Sequence, residues 1–164
     1  MDEVDRIVAA WRHERPDIDV SPMEVLSRVS RLAKQLDKAR KVTFHNHGLE
    51  VWAFDVLSAL RRSGAPYQLS PSQLIGEMMV TSGTMTNRID RLVSAGWVSR
   101  HPDPTDRRGV LVRLTEAGQT KVDDSLAELL VLEAELLGQL SAPQRRKLSE
   151  LLRQLSSGFD AEDE

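Results

Sequence analysis

The sequence predicts a mainly α chain with one β hairpin set among its helices. Apolar residues recur at helical spacing in seven stretches, most of them bounded by Ser-Pro, Gly or Pro signals. Between the fifth and sixth the period changes to two β-type runs, 97–100 and 110–114, separated by the proline-bearing segment 101–109. With 40% apolar and 29% charged residues among 164, the composition is that of a globular chain long enough to bury a core.

Residues 2–13 are expected to form a short amphipathic helix, with Val4, Ile7, Val8 and Trp11 at helical spacing and acids in the first turn. Pro16 and the polar run 17–19 break it. Ser21-Pro22 with Glu24 predicts a capped start for the next helix: Ser21 as N-cap, Pro22 at the first helical position, Glu24 reaching back in a capping box. That helix carries Val25, Leu26, Val29, Leu32, Ala33 and Leu36 to about Arg40 or beyond. His45, Asn46, His47 and Gly48 form a break. The helix over 49–62 is apolar on most sides (Val51, Trp52, Phe54, Val56, Leu57, Leu60), which predicts a central position.

Ser63-Gly64-Ala65-Pro66 stops that helix, and Ser70-Pro71 opens a shorter one over 72–79. After a tight turn at Val80-Thr81 the next helix runs from Ser82 or Gly83 to Ala95, with Gly96 as C-cap. The two β runs follow as a two-stranded hairpin with a proline-stiffened tip. A long helix is expected from Glu116 to about Gly138, and Ser141-Ala142-Pro143-Gln144 caps a last one over 144–155. The chain thus divides into a lobe over 49–115, a helical region over 1–48 and 116–157, and an acidic, disordered tail over 158–164.

Charge is unevenly spread. Residues 1–80 carry 11 basic against 11 acidic groups; 81–113 carry 6 against 3, a net of +3; 114–164 carry 5 against 11, a net of −6. The overall −3 therefore hides a positive field confined to the segment with the hairpin, as a polyanion-binding surface requires. Cysteine is absent, excluding disulfides, thiolate metal sites and cysteine nucleophiles. The charged N-terminal segment shows no signal-like apolar region and no run is long enough to span a membrane, so a cytoplasmic location is expected.

Two short helices joined by a turn place the second one in the DNA major groove, its N-terminal residues nearest base edges and phosphates. Here that helix begins Ser82-Gly83-Thr84-Met85-Thr86-Asn87-Arg88. Ser82, Thr84 and Thr86 are small enough to approach a duplex and donate to phosphate, where the helix dipole favours the same anion. Asn87 has the geometry to read adenine, and Arg88 or Arg91 guanine. Ile89 and Leu92 face the core. At the hairpin tip Arg107 and Arg108 are placed to enter a narrow minor groove, with Asp106 orienting a guanidinium. An ordinary capped helix and surface turn would show some of the same residues.

Residues 69–118, with SPSQLIGEMMVTSGTMTNRIDRL and the pattern Asp106-x-Arg108-x-x-x-x-x-Leu114-Thr115, resemble the winged helix-turn-helix of MarR-family transcriptional regulators. The resemblance implies a homodimer held by its N- and C-terminal helices, binding a pseudo-palindromic double-stranded operator. It also implies a repressor released by a small ligand. The leading helix with Trp11, together with Asp55, Arg62 and Arg88, resembles the urate-responsive subgroup. By that resemblance Trp11 covers an anion, Arg62 and Arg88 pair with it, and Asp55 senses its charge, with urate, citrate and aconitate as effectors. Forked arginines and an aromatic lid suit a planar anion.

The alternatives are a regulator without a ligand, in which Trp11 only anchors its helix and Arg62 pairs locally, and a helical module that binds protein. No enzyme is expected: His45-x-His47 lacks a third metal ligand, His13 and His101 stand alone, and no phosphate loop or nucleophile elbow is present. No cofactor is implied.

Overall fold

The computed structural model describes residues 1–106 and 108–160, the last two through their backbone alone. In chain order the elements are α1 (Glu3–Glu14), α2 (Pro22–Asn46), α3 (Val51–Arg62), β1 (Gln68–Leu69), α4 (Pro71–Met78) and α5 (Ser82–Ser94). They continue with β2 (Val98–Pro102), β3 (Val110–Leu114), α6 (Glu116–Leu136), a 3₁₀ turn (Leu137–Gln139) and α7 (Ala142–Asp160). Contacts divide the chain into two compact units, Met1–Val122 and Asp123–Glu164.

In the first unit, Asp2 and Asp5 close a reciprocal capping box that starts α1, with N–H···O distances of 2.9 and 2.7 Å. Val4 and Val8 bury against Val20 and Met23. Arg28 of α2 donates to both Asp2 and Asp5, and Arg31 donates to Glu3. This docking changes the expected start of α2. Glu24 takes Arg12 as its partner at 2.5 Å instead of closing a capping box, and Ser21 is itself helical with no side-chain cap. The Ser21 N–H and hydroxyl donate to Asp19. A tertiary ion pair has displaced a local cap.

The helix α2 runs well past Arg40 and ends where Gly48 takes φ +67. Near its end Phe44 stacks on Phe54 of α3, with centroids 4.1 Å apart. Central burial of α3 follows its composition: Ala53, Phe54, Val56, Leu57, Ala59 and Leu60 are all buried. Each such large apolar side chain contributes roughly 1.5–3 kcal/mol.

Ser70 and Gln73 form the capping box of α4, and Pro71 takes the first helical position. The turn into α5 is made by Met79 in the left-handed region at φ +48, one residue before the expected Val80-Thr81. Thr81 caps α5, accepting from the Thr84 N–H at 3.3 Å. Met85, Ile89 and Leu92 recur at helical spacing on its inner face and are buried. Leu74, Met85, Leu92, Leu57 and Leu60 are all fully buried, so α3, α4 and α5 share one core.

The hairpin pairs β2 with β3 in antiparallel register from Val98 opposite Leu114 to Pro102 opposite Val110. A third strand, β1, pairs on the outer side of β3, Gln68 opposite Arg113 and Leu69 opposite Val112. Two residues show no alternation, so the sequence reading has a two-stranded sheet where three strands exist. Arg113 donates twice to the Gln68 side chain, at 3.0 and 2.7 Å, and so ties the added strand to the hairpin.

At the base of the hairpin Thr115 joins three elements. Its N–H donates to Trp97 O at 3.1 Å, its hydroxyl donates to Gly96 O at 2.7 Å and accepts from the Gly118 N–H at 3.0 Å. The end of α5, the hairpin and the start of α6 are thereby locked together.

In the second unit, α7 is opened by Gln144, whose side-chain oxygen accepts from the Ser141 N–H at 2.8 Å. It extends to Asp160, so residues 158–160, expected in the tail, are helical; 161–164 lie outside the described residues. Leu148, Leu151, Leu152 and Leu155 of α7 are exposed in the single chain.

A Cβ on Gly118 would lie 2.0 Å from the Trp97 carbonyl oxygen, whereas one on Gly76 in α4 would meet nothing within 4 Å. Gly118→Ala should therefore destabilise the fold by about 1–3 kcal/mol. Gly76→Ala should be neutral or stabilising by up to about 1 kcal/mol. Thermal unfolding followed by circular dichroism checks both; equal melting temperatures for the two variants would contradict the close approach.

Candidate nucleic-acid interface and adjoining cleft

The outward face of α5 carries Ser82, Thr84, Thr86, Asn87 and Arg91, all exposed, with Arg88 half-buried. Two of the hydroxyls are already engaged locally. Thr84 and Thr81 share a hydrogen bond at 2.9 Å, and Thr86 donates to Ser82 O at 3.0 Å. Ser82 lies at the exposed end that the N-terminal dipole makes receptive to anions, and Asn87 is exposed on the next turn. Gly83, Thr84, Asn87, Arg88 and Arg91 line a shallow recess of about 440 Å³, closed on one side by Trp52 of α3.

Sequence reasoning missed the part played by Glu50 and Trp52. The Arg91 guanidinium lies 4.7 Å over the Trp52 ring and that of Arg88 lies 5.6 Å over it. Arg91 also donates to Glu50 Oε1, while the Trp52 indole N–H donates to Glu50 Oε2 at 2.5 Å. The indole hydrogen bond and then the Arg91 guanidinium hold the Glu50 carboxyl below its ordinary range. Glu50 and Arg91 are 41 residues apart, so no local spacing signals the contact.

At the hairpin tip Asp103 accepts from the backbone N–H and hydroxyl of Thr105 at 2.8 and 2.7 Å, and its own N–H donates to Gly109 O at 3.0 Å. Asp106 was expected to orient a guanidinium. Its carboxylate accepts from the Arg108 backbone N–H at 2.9 Å, which shapes the turn, and the Arg108 side chain is exposed. Arg107 lies outside the described residues.

Behind α5 lies a larger cleft of about 620 Å³, lined by Lys41 and His45 of α2, Glu50, Trp52 and Asp55 at and in α3, Met78 of α4, Val80, and Arg88. Of the four residues expected to hold an anion, Asp55 and Arg88 meet here. Arg62 does not line the cleft: it donates to Glu77 at 3.0 Å and to Ser58 at 3.3 Å. Trp11 stands apart on α1, about half exposed. Lys41 and His45 take the places of basic groups that the sequence reading assigned to other residues; the signal was their helical spacing of four along α2.

Partial burial raises the Asp55 carboxyl above its ordinary 3.8, opposed by the charges of Arg40, Arg88 and Arg62. Arg40 donates to Asp55 at 3.4 Å, and its Nε is buried without a hydrogen-bond partner among the described residues. Also among the described residues, no group of three or more His, Asp or Glu is arranged to hold a metal ion, and no helix is long and apolar enough to cross a membrane.

A family model described as MarR family matches residues 47–109. The regulator PecS of Dickeya dadantii is 41% identical over 150 residues, covering 92% of this chain and 90% of its own. The multiple antibiotic resistance protein MarR of Escherichia coli is 36% identical over 104 residues, 62% of this chain and 69% of that one. The chain belongs to the MarR family. Its fold is the winged helix of those transcriptional regulators, and its relatives are regulators rather than enzymes. A crystal structure of a mutant E. coli MarR complexed with operator DNA matches this MarR-family chain with a TM-score of 0.62 at 28% identity, covering 84% of this chain and 99% of that one.

The raised Asp55 carboxyl has a sign. A carboxyl whose native value lies above its unfolded value stabilises the fold while protonated, and that contribution is lost as pH rises through the native value. Asp55→Asn should therefore raise the melting temperature at pH 7 relative to wild type, and the difference should shrink as pH falls towards 3.8. A melting difference that does not change between pH 7 and pH 4 would contradict the burial of this charge.

Proposed function

We propose that this MarR-family chain is a homodimeric repressor that binds a pseudo-palindromic DNA operator and is released when a small anion enters the cleft behind α5. In this reading Ser82, Thr84, Thr86, Asn87 and Arg88 face the major groove, and Arg107 and Arg108 of the wing face the minor groove. The crystal structure of E. coli MarR with operator DNA supports the DNA contact by similarity. The exposed apolar residues of α2 (Val25, Leu26, Val29, Leu32) and α7 (Leu148, Leu151, Leu152, Leu155) support a second copy as the partner, since faces this apolar are rarely left open in a monomer.

The observation that carries the ligand reading is that Arg88 lines both the recess on the DNA-facing side of α5 and the cleft behind it. An anion that engages Arg88 together with Lys41 and His45 also brings negative charge against Asp55, and the resulting repulsion moves α5 relative to α3. Arg62 contributes through its charge on Asp55. Trp11 stands away from the cleft in this chain and serves the reading only through the urate-responsive resemblance. Urate, citrate and aconitate all fit the chemistry of a compact anion with several acceptor oxygens. Such a regulator acts in the cytoplasm.

Fluorescence anisotropy with a labelled duplex from the intergenic DNA upstream of its own gene tests the reading. Wild type should bind with affinity that falls steeply with salt. Arg108→Ala should bind more weakly, with the slope of log affinity against log salt reduced by about one. Whichever of urate, citrate and aconitate releases wild type should release Asp55→Asn at least about tenfold less readily. Release by none of the three would sink the ligand and leave a constitutive regulator; absence of salt-dependent DNA affinity would sink the operator reading in favour of a protein-binding module.

A further inference from the structure

We propose that Glu50 is a specificity-determining residue, an internal stand-in for a DNA phosphate that holds Arg91 on the face of Trp52 and keeps it off the backbone of unrelated DNA. The inference rests on α5 being the DNA-facing helix. Arg91 lies one turn beyond Arg88 on the same face, about half exposed, where a phosphate could reach it. It is nevertheless already occupied. Its guanidinium stacks 4.7 Å over the Trp52 ring and donates to Glu50 Oε1, while the other carboxylate oxygen accepts the Trp52 indole N–H at 2.5 Å.

An isolated exposed ion pair contributes little. This one is a three-way contact, in which each group engages the other two: carboxylate with indole N–H, carboxylate with guanidinium, guanidinium with indole face. A phosphate that recruits Arg91 must break the ion pair and uncover the ring. Its reward is one more backbone contact, which every DNA sequence offers equally. Of the candidate base readers, Asn87 and Arg88 make no hydrogen bond or ion pair with Glu50 among the described residues, whereas Arg91 is the one that Glu50 holds back. The latch therefore subtracts from sequence-independent affinity and leaves the sequence-dependent part in place, widening the ratio between the two.

The test uses the full chain with two labelled duplexes of equal length, one from its own upstream intergenic DNA and one of unrelated sequence, across a salt titration. Glu50→Gln keeps an acceptor for the indole but loses the charge that holds Arg91. It should bind the unrelated duplex severalfold more tightly than wild type, with a salt slope steeper by about 0.9, and with a smaller ratio between the two duplexes. Arg91→Met alone should leave the wild-type slope unchanged, and in the Glu50→Gln background it should cancel the gain. Glu50→Ala should repeat the result if the glutamine variant folds poorly. A gain in affinity and slope is not produced by misfolding, which lowers both. Wild-type binding with an unchanged Glu50→Gln slope would overturn the latch, as would an Arg91→Met slope already flattened by about one. Failure of wild type to bind either duplex would overturn the DNA-facing reading, and the latch with it.

Discussion

The orientation of α5 depends on the hydrogen bonds that Thr115 makes at its far end. One hydroxyl donates to Gly96 O, just past the helix, and accepts from the first turn of α6, while the adjoining backbone N–H holds Trp97 O. Gly118 is required at that point because the Trp97 carbonyl occupies the space a side chain would need. The hairpin springs from the same residues. Helix α5 and the hairpin are thus fixed to one junction.

On its outer side, over its last two turns, α5 is braced against α3 by side chains instead of backbone. Trp52 lies under Arg88 and Arg91 together, Glu50 ties Arg91 to α3, and Asp55 sits in the cleft into which Arg88 also faces. This contact is polar, half exposed and responsive to charge. A backbone junction just past the helix and an electrostatic brace on its last two turns are the two contacts through which the proposed ligand control acts on α5.

Much of this was legible in the sequence where local chemistry decides the outcome. Pro71 after Ser70, the inward Ile89 and Leu92, and Gly96 at the end of α5 act through neighbours three or four residues away, and the structure agrees with them. Where distant partners decide, the reading failed for a physical reason. Glu24 met Arg12 and left Ser21 uncapped, and β1 exists only because β3 offers an edge. The site shows the same division: Asp55 and Arg88 line one cleft, Lys41 and His45 reach it from one face of α2, Glu50 and Trp52 reach it through packing between distant segments, and Arg62 and Trp11 do not line it.

The exposed leucines of α7 and the apolar stripe of α2 give the two units a common requirement, a partner that covers them. A homodimer supplies it and presents two copies of α5 and its wing to one duplex. Sedimentation equilibrium of the full chain, alone and with a labelled duplex from its own upstream DNA, measures this directly. Two chains per particle in the free protein and two per duplex in the complex, with the complex dissociating as salt rises, is the expected result. A monomer that binds the duplex one to one, or a dimer indifferent to DNA at low salt, would contradict it.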